Sequence, residues 1–140
     1  MAKSKLIPWL LIVAAVVVAV LAVEATIRSR AERKRQALYQ SIFRQYLTAL
    51  KPGTQRSEVE AILVSQGRAF QQSCCLLGEN QNALEDVVKI GSEPKLWYCS
   101  DLDMYLVFEF ESPPGPVVRE TDASDRLRRI ALVPWLGFCL

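Results

Sequence analysis

The pattern of apolar and polar positions along this chain changes twice, from an unbroken apolar run to a helical period and then to a period of two, and each change marks a structural boundary. From Leu6 to Val23 there is no charge, and the Trp9 indole is the only polar group among the side chains. A helix of those eighteen residues spans roughly 27 Å at ~1.5 Å rise per residue, close to the thickness of a bilayer's hydrocarbon core. In lipid a single segment satisfies all its backbone polar groups only as a helix, so the composition dictates the conformation. Pro8 falls in the first turn, where a missing N–H costs least. After Val23 the pattern becomes amphipathic, with no helix breaker before Lys51-Pro52-Gly53. Leu38, Tyr39, Ile42, Phe43, Tyr46, Leu47, Ala49 and Leu50 share half of a helical wheel.

Ser57-Glu58-Val59-Glu60 has the form of a capping box, with Ser57 as N-cap and Glu60 at N3. A short helix with Val59, Ile62 and Leu63 on one face follows and closes at Gly67. The period then falls to two. Strands are expected over Arg68–Cys74, Ala83–Ile90, Lys95–Ser100, Met104–Glu111 and Arg126–Pro134. Gly91 to Pro94 is expected to end the second of these, and Asp101-Leu102-Asp103 to form a hairpin turn. In the Met104 strand, Leu106, Phe108 and Phe110 face a core while Glu109 and Glu111 face solvent. In the last strand, Arg128, Ile130 and Leu132 are expected on one side, after a turn at Asp122–Asp125. The expected fold is therefore α+β. An N-terminal transmembrane helix continues into an amphipathic one, then come a second short helix and an antiparallel sheet of four or five strands. Residues 1–35 are the anchor with basic flanks, and residues 36–140 a small domain.

Charge sharpens this division. Residues 1–35 hold seven Lys/Arg against Glu24 and Glu32, a net +5, and the remainder is −3. The positive charge thus belongs to the flanks of the apolar run, where it meets anionic lipid head groups. A nucleic-acid partner is not expected, because the folded part is slightly acidic and has no basic stripe. Leu6, Trp9 and Val23 bound the anchor, with Trp9 placed for an interface. A cleaved signal peptide is the competing reading, with Val20-Leu21-Ala22 as its site. The run is longer than the usual ~7–15 residue signal core, so a retained anchor is favoured. Two basic residues precede the run and five follow it, which by the positive-inside rule places the domain in the cytoplasm. The cysteines argue for the extracytoplasmic, periplasmic side, and that is the reading adopted.

The chain has no histidine. This excludes Ser-His and Cys-His catalysis, His-ligated metals and bis-His haem. Cys74, Cys75, Cys99 and Cys139 lack paired C-x-x-C knuckles, and an even count in an anchored domain fits disulfides. A thiol-disulfide oxidoreductase using Cys74 or Cys75 is the enzymatic alternative, but such sites prefer C-x-x-C at a helix N-terminus. The pairs Glu109/Glu111 and Asp101/Asp103 read as solvated strand faces that guard an edge. Asp122-Ala-Ser-Asp125 is too short for a calcium loop. No catalytic residue, cofactor, metal site or small-molecule substrate is expected.

The stretch from Leu50 to Gly67 resembles the opening of small extracytoplasmic domains of the SmpA/OmlA type. In these a Leu-x-x-Gly-Thr/Met turn leads to a capped Glu-Val helix, a closing glycine and an antiparallel sheet. The resemblance implies a non-enzymatic envelope module that binds other envelope proteins. The chain departs from it in having an apolar span where outer-membrane members carry a lipidated cysteine. The expected function is thus an anchored module binding another envelope or membrane protein, with an accessory subunit of a larger membrane complex as the alternative. Leu38, Tyr39 and Ile42 are the candidate partner-binding residues. Leu47 and Leu50 are expected in the domain's own core.

Overall fold

A single helix, α1 (Leu6–Ala49), runs through both the apolar span and the amphipathic stretch. The computed structural model describes residues 6–74, 76–77, 84–94, 101–111 and 121–136. The chain separates into two compact units, Met1–Leu38 and Tyr39–Leu140. In the first, α1 carries an eighteen-residue window of mean hydropathy 2.8, none of it buried, so this helix is long and apolar enough to cross a membrane. Near the end of the apolar run the Thr26 hydroxyl donates back to the carbonyls of Ala22 and Val23, at 3.0 and 2.7 Å, and so needs no water.

The second unit opens with the last turns of α1. Tyr39, Tyr46 and Leu50 are buried and Ile42 and Phe43 pack against the core, a narrow stripe at i, i+3, i+4, i+7 and i+11. Leu47 is 48% exposed, so its expected place in the core is wrong. It lies one residue off the stripe, on the flank of the half-wheel that the sheet does not cover. Gly53 (φ +91°) turns the chain after Pro52, and the Thr54 hydroxyl donates to the Lys51 carbonyl at 2.7 Å.

Helix α2 (Arg56–Ser65) follows. Its end is a Schellman motif: Gly67 (φ +67°) donates to the Val64 carbonyl and Arg68 to that of Leu63, both at 2.9 Å. Its start differs from the expected capping box. Gln55 occupies the N-cap position and makes no side-chain capping bond, and Ser57 is already helical. The free donors of the first turn are satisfied from far along the chain instead. Arg56 N–H donates to the Asp125 carbonyl (2.8 Å) and Ser57 N–H to that of Ala123 (3.1 Å). The 122–125 turn, expected from sequence, is thereby the cap of α2. Within it the Asp122 carboxylate accepts from the Ser124 N–H and hydroxyl.

Four strands, β1 (Gln71–Cys74), β2 (Leu84–Glu93), β3 (Leu102–Phe110) and β4 (Leu127–Leu136), form an open antiparallel sheet in chain order. The expected strand at Lys95–Ser100 lies outside the described residues. Two expectations fail at the β2–β3 hairpin. Gly91 to Glu93 continue β2, and Leu102 and Asp103 belong to β3, paired with Glu93 and Ser92. The pairing slips between Lys89 and Gly91, leaving Ile90 as a bulge that hides the continuation from a period-two reading. A second bulge, at Arg128, lies between Arg129, paired with Glu109, and Leu127, paired with Phe110. It moves Leu127 onto the face of Ile130 and Leu132, in place of the expected Arg128.

That face, with Leu106, Phe108, Phe110 and Val88, packs against Val59 and Leu63 of α2, Tyr46 of α1 and Leu50 just past its end. The Tyr46 and Phe108 rings meet edge to face, 5.6 Å apart at 84°.

Candidate functional site

Charged side chains are buried on both faces of the sheet. On the helix-covered face, Arg56 from the first turn of α2 meets three carboxylates, one from its own helix and two from elsewhere in the chain. Its Nη2 donates to Asp86 Oδ1 (2.6 Å) and to the Leu84 carbonyl (3.0 Å). Its Nη1 donates to Asp125 Oδ2 (3.3 Å), and Nε lies 3.4 Å from Glu60 Oε1. The guanidinium carbon stands 4.2 Å over the Phe110 ring, a cation–π contact. Burial pushes the Asp86 carboxyl up to about 6, against the pull of its bond and charge interaction with Arg56. The second oxygen, Oδ2, has no hydrogen-bond partner among the described residues, which adds to the cost of ionising it. This cluster ties α2, β2 and the 122–125 turn together, a structural role.

The opposite face carries a row across all four strands. Ser73 pairs with Glu85, and Glu109 with Arg129. Glu85 and Glu109 stand one register step beyond the Asp86–Phe108 pair and so face one another. Both are fully buried, which corrects the expectation of a solvated, edge-guarding Glu109. β3 is an inner strand, and the Arg128 bulge lets two successive arginines reach the same carboxylate. Arg128 Nη1 donates to Oε1 (3.1 Å) and Arg129 Nε to Oε2 (2.5 Å). Glu111, exposed beyond the strand end, keeps its expected place. Glu85 accepts the backbone N–H groups of Leu76 (2.8 Å) and Leu77 (3.3 Å). Burial raises its pKa, those two bonds oppose the rise, and the Glu109 charge adds to it.

Beside this row lies a partly open cavity of about 300 Å³, lined by Gln71, Ser73, Cys74, Leu76, Val87, Tyr105 and Trp135. Trp135 is 50% exposed. At its rim the Asp103 carboxylate accepts from Lys89 (2.7 Å), Ser92 (2.6 Å) and the Tyr105 hydroxyl (3.2 Å). The Lys89 bond, then that of Ser92, holds the Asp103 pKa down, and the Asp103 bond holds Lys89 up. Burial first and the Asp103 charge second push the Tyr105 hydroxyl up. Asp103 therefore serves as the hub of a polar rim, not as a free acid. The arrangement offers an aromatic and aliphatic wall with hydrogen-bonding groups at its edge, the chemistry of a recognition surface.

The sequence candidates fall as follows. Cys74 ends β1 and lines the cavity, and among the described residues no cysteine is free. Cys75, Cys99 and Cys139 lie outside the described residues. Trp9 and Val23 are exposed on α1, and Leu6 opens that helix. Of the partner-binding candidates, Leu38 is 54% exposed. Tyr39 is buried beneath its own sheet, with only 3% exposed, and Ile42 packs against the core. The apolar half-wheel is thus largely consumed by the domain itself. Sequence reasoning passed over Trp135 and Tyr105. Their signal was two aromatics on paired strands, but Trp135 looked like tail because the last strand was expected to stop at Pro134. No cluster of metal-ligating side chains occurs among the described residues. Comparisons with protein families, with characterised proteins and with solved structures find no match to this chain.

Proposed function

We propose that the chain is a single-span membrane protein whose α+β domain binds another envelope or membrane protein, in an assembly or scaffolding role without catalysis. The observation that carries this reading is the apolar span of α1, none of which is covered within the chain. Apolar surface of that extent is stable only in lipid or against other membrane helices. The domain's contribution is the cavity walled by Trp135 and Tyr105, since a half-exposed tryptophan beside a partly buried tyrosine and hydrogen-bonding groups is a usual anchor of protein interfaces. The resemblance of Leu50–Gly67 to SmpA/OmlA-type domains supports the same reading, as those domains bind other envelope proteins. Cys74 is not a free thiol, which supports structural disulfides and hence an extracytoplasmic domain. The same fact weighs against the thiol oxidoreductase reading.

The test places a photoreactive residue at Trp135 of the full chain, crosslinks in intact cells and extracts in mild detergent. One membrane or envelope protein should be captured, and the same protein should be lost from native co-purification when Trp135→Ala is introduced. Capture of nothing, or co-purification indifferent to Trp135→Ala, would overturn the assignment of this surface. Protease added to spheroplasts should remove the domain; protection until lysis would put it in the cytoplasm.

A further inference from the structure

The turns of α1 that follow the apolar run carry five cations, and the helix sorts them. Arg28 has Glu24 four residues before it and Glu32 four residues after, and the Glu24–Arg28 pair is formed at 3.7 Å. Arg35 has Glu32 three residues before it. Arg30, Arg33 and Lys34 have no acidic residue three or four positions away in either direction. At ~100° per residue, Glu24, Arg28, Glu32 and Arg35 fall within an arc of roughly 80°, while Arg30, Arg33 and Lys34 fall within about 100° on the opposite side. One side of the helix is therefore neutral and the other carries three positive charges. All three of these side chains are exposed, and Arg33 donates to the neutral Ser29 hydroxyl at 3.1 Å, which leaves its charge uncompensated.

We propose that the Arg30–Arg33–Lys34 side of α1 is a binding surface for the headgroups of anionic phospholipids. The proposal rests on the membrane-span reading above, and given that span the position of this side fixes the occupant. Arg30 stands about 10 Å along the axis beyond Val23, where the apolar run ends, within reach of the headgroup layer for a long side chain that bends back toward the bilayer. Phosphates and carboxylates at that depth complement a one-sided triad, and a guanidinium holds phosphate through two bonds at once. The Glu24 side carries no net charge, two carboxylates balancing two arginines, and so offers an anionic lipid no net attraction. The helix thus selects its lipid neighbours on one flank only.

The experiment uses the full chain in mixed nanodiscs of phosphatidylcholine and phosphatidylglycerol in equal amounts. Lipids that remain bound are counted by native mass spectrometry, with helicity checked by circular dichroism. The unaltered chain should retain phosphatidylglycerol over phosphatidylcholine. Arg30→Gln/Arg33→Gln should erase most of that preference, at roughly fivefold per charge removed. Arg28→Gln/Arg35→Gln removes the same charge from the other side and should keep it. No preference in the unaltered chain, or an equal or larger loss in the second pair, would overturn the proposal, since net charge or an acidic protein partner would then account for the cluster.

Discussion

Replacing Gly91 by alanine isolates the contact by which α1 sits on the sheet. A methyl group there would lie 2.5 Å from Tyr39 Cε1, 2.7 Å from its hydroxyl oxygen and 2.9 Å from Cζ. Ordinary carbon contacts lie at ~3.5–4.0 Å, so the ring must retreat by about 1 Å. It has little room to do so, being buried and bound through its hydroxyl to the Ser92 carbonyl at 3.4 Å. Overpacking of this kind costs ~1–3 kcal/mol. The restriction of the unfolded chain by alanine returns ~0.4–1 kcal/mol. The net loss is about 1–2 kcal/mol, a fall in melting temperature of roughly 5–10 °C for a domain of this size. Near-ultraviolet circular dichroism of the full chain in detergent reads it. The decisive comparison is with Tyr39→Leu, which removes all three clashing atoms. In that background Gly91→Ala should cost nothing or stabilise slightly. An equal loss in both backgrounds, or no loss in either, would refute the reasoning.

Arg56→Ala leaves Asp86 buried without its cation and should destabilise by ~3–5 kcal/mol in urea titration. The same cluster gives a pH dependence. Folding raises the Asp86 pKa from 3.8 to about 6, so the folded state holds that proton more tightly and its stabilising effect is lost as pH rises through the interval. The unaltered chain should therefore lose stability relative to Asp86→Asn between pH 4 and 7, by up to roughly 3 kcal/mol, and a parallel course in the two proteins would contradict the assignment. Leu47→Ser should shift stability by less than ~0.5 kcal/mol, while Leu50→Ser should cost ~2–4 kcal/mol or more by thermal melt. Purified without reductant, the chain should bind at most two maleimides by mass.

What was legible in the sequence is what depends on near neighbours. The apolar run, the Pro52-Gly53 break, the Gly67 stop and the strand around Phe108 all follow from local composition and period. What was hidden depends on a strand's neighbours. The bulge residues Ile90 and Arg128 each shift the alternation by one, so a period-two reading is right on one side of them and inverted on the other. Glu109 looked solvated because its compensation, two arginines, sits on the next strand. The capping box failed for the same reason, its donors taken by carbonyls about seventy residues away. The cavity walled by Tyr105 and Trp135 was missed because Pro134 was read as the end of a strand. It is only a residue of edge strand β4, where a missing N–H toward solvent is tolerated.

The cap that the 122–125 turn places on α2 bears on how the chain is made. Synthesis delivers α2 long before its cap exists: the Arg56–Asp125 contact closes a separation of 69 residues. Until Asp125 has left the ribosome, the first turn of α2 has no acceptors from the turn, and the Arg56 charge lacks one of its carboxylates. Gly53 and Thr54, which exchange hydrogen bonds with Leu127, wait for the same stretch. A nascent chain stopped before Ala123 therefore lacks more than its last strand, because its second helix is left open at the start. The start of α2 is therefore completed only after the 122–125 turn has been made, well after the apolar run of α1 has left the ribosome.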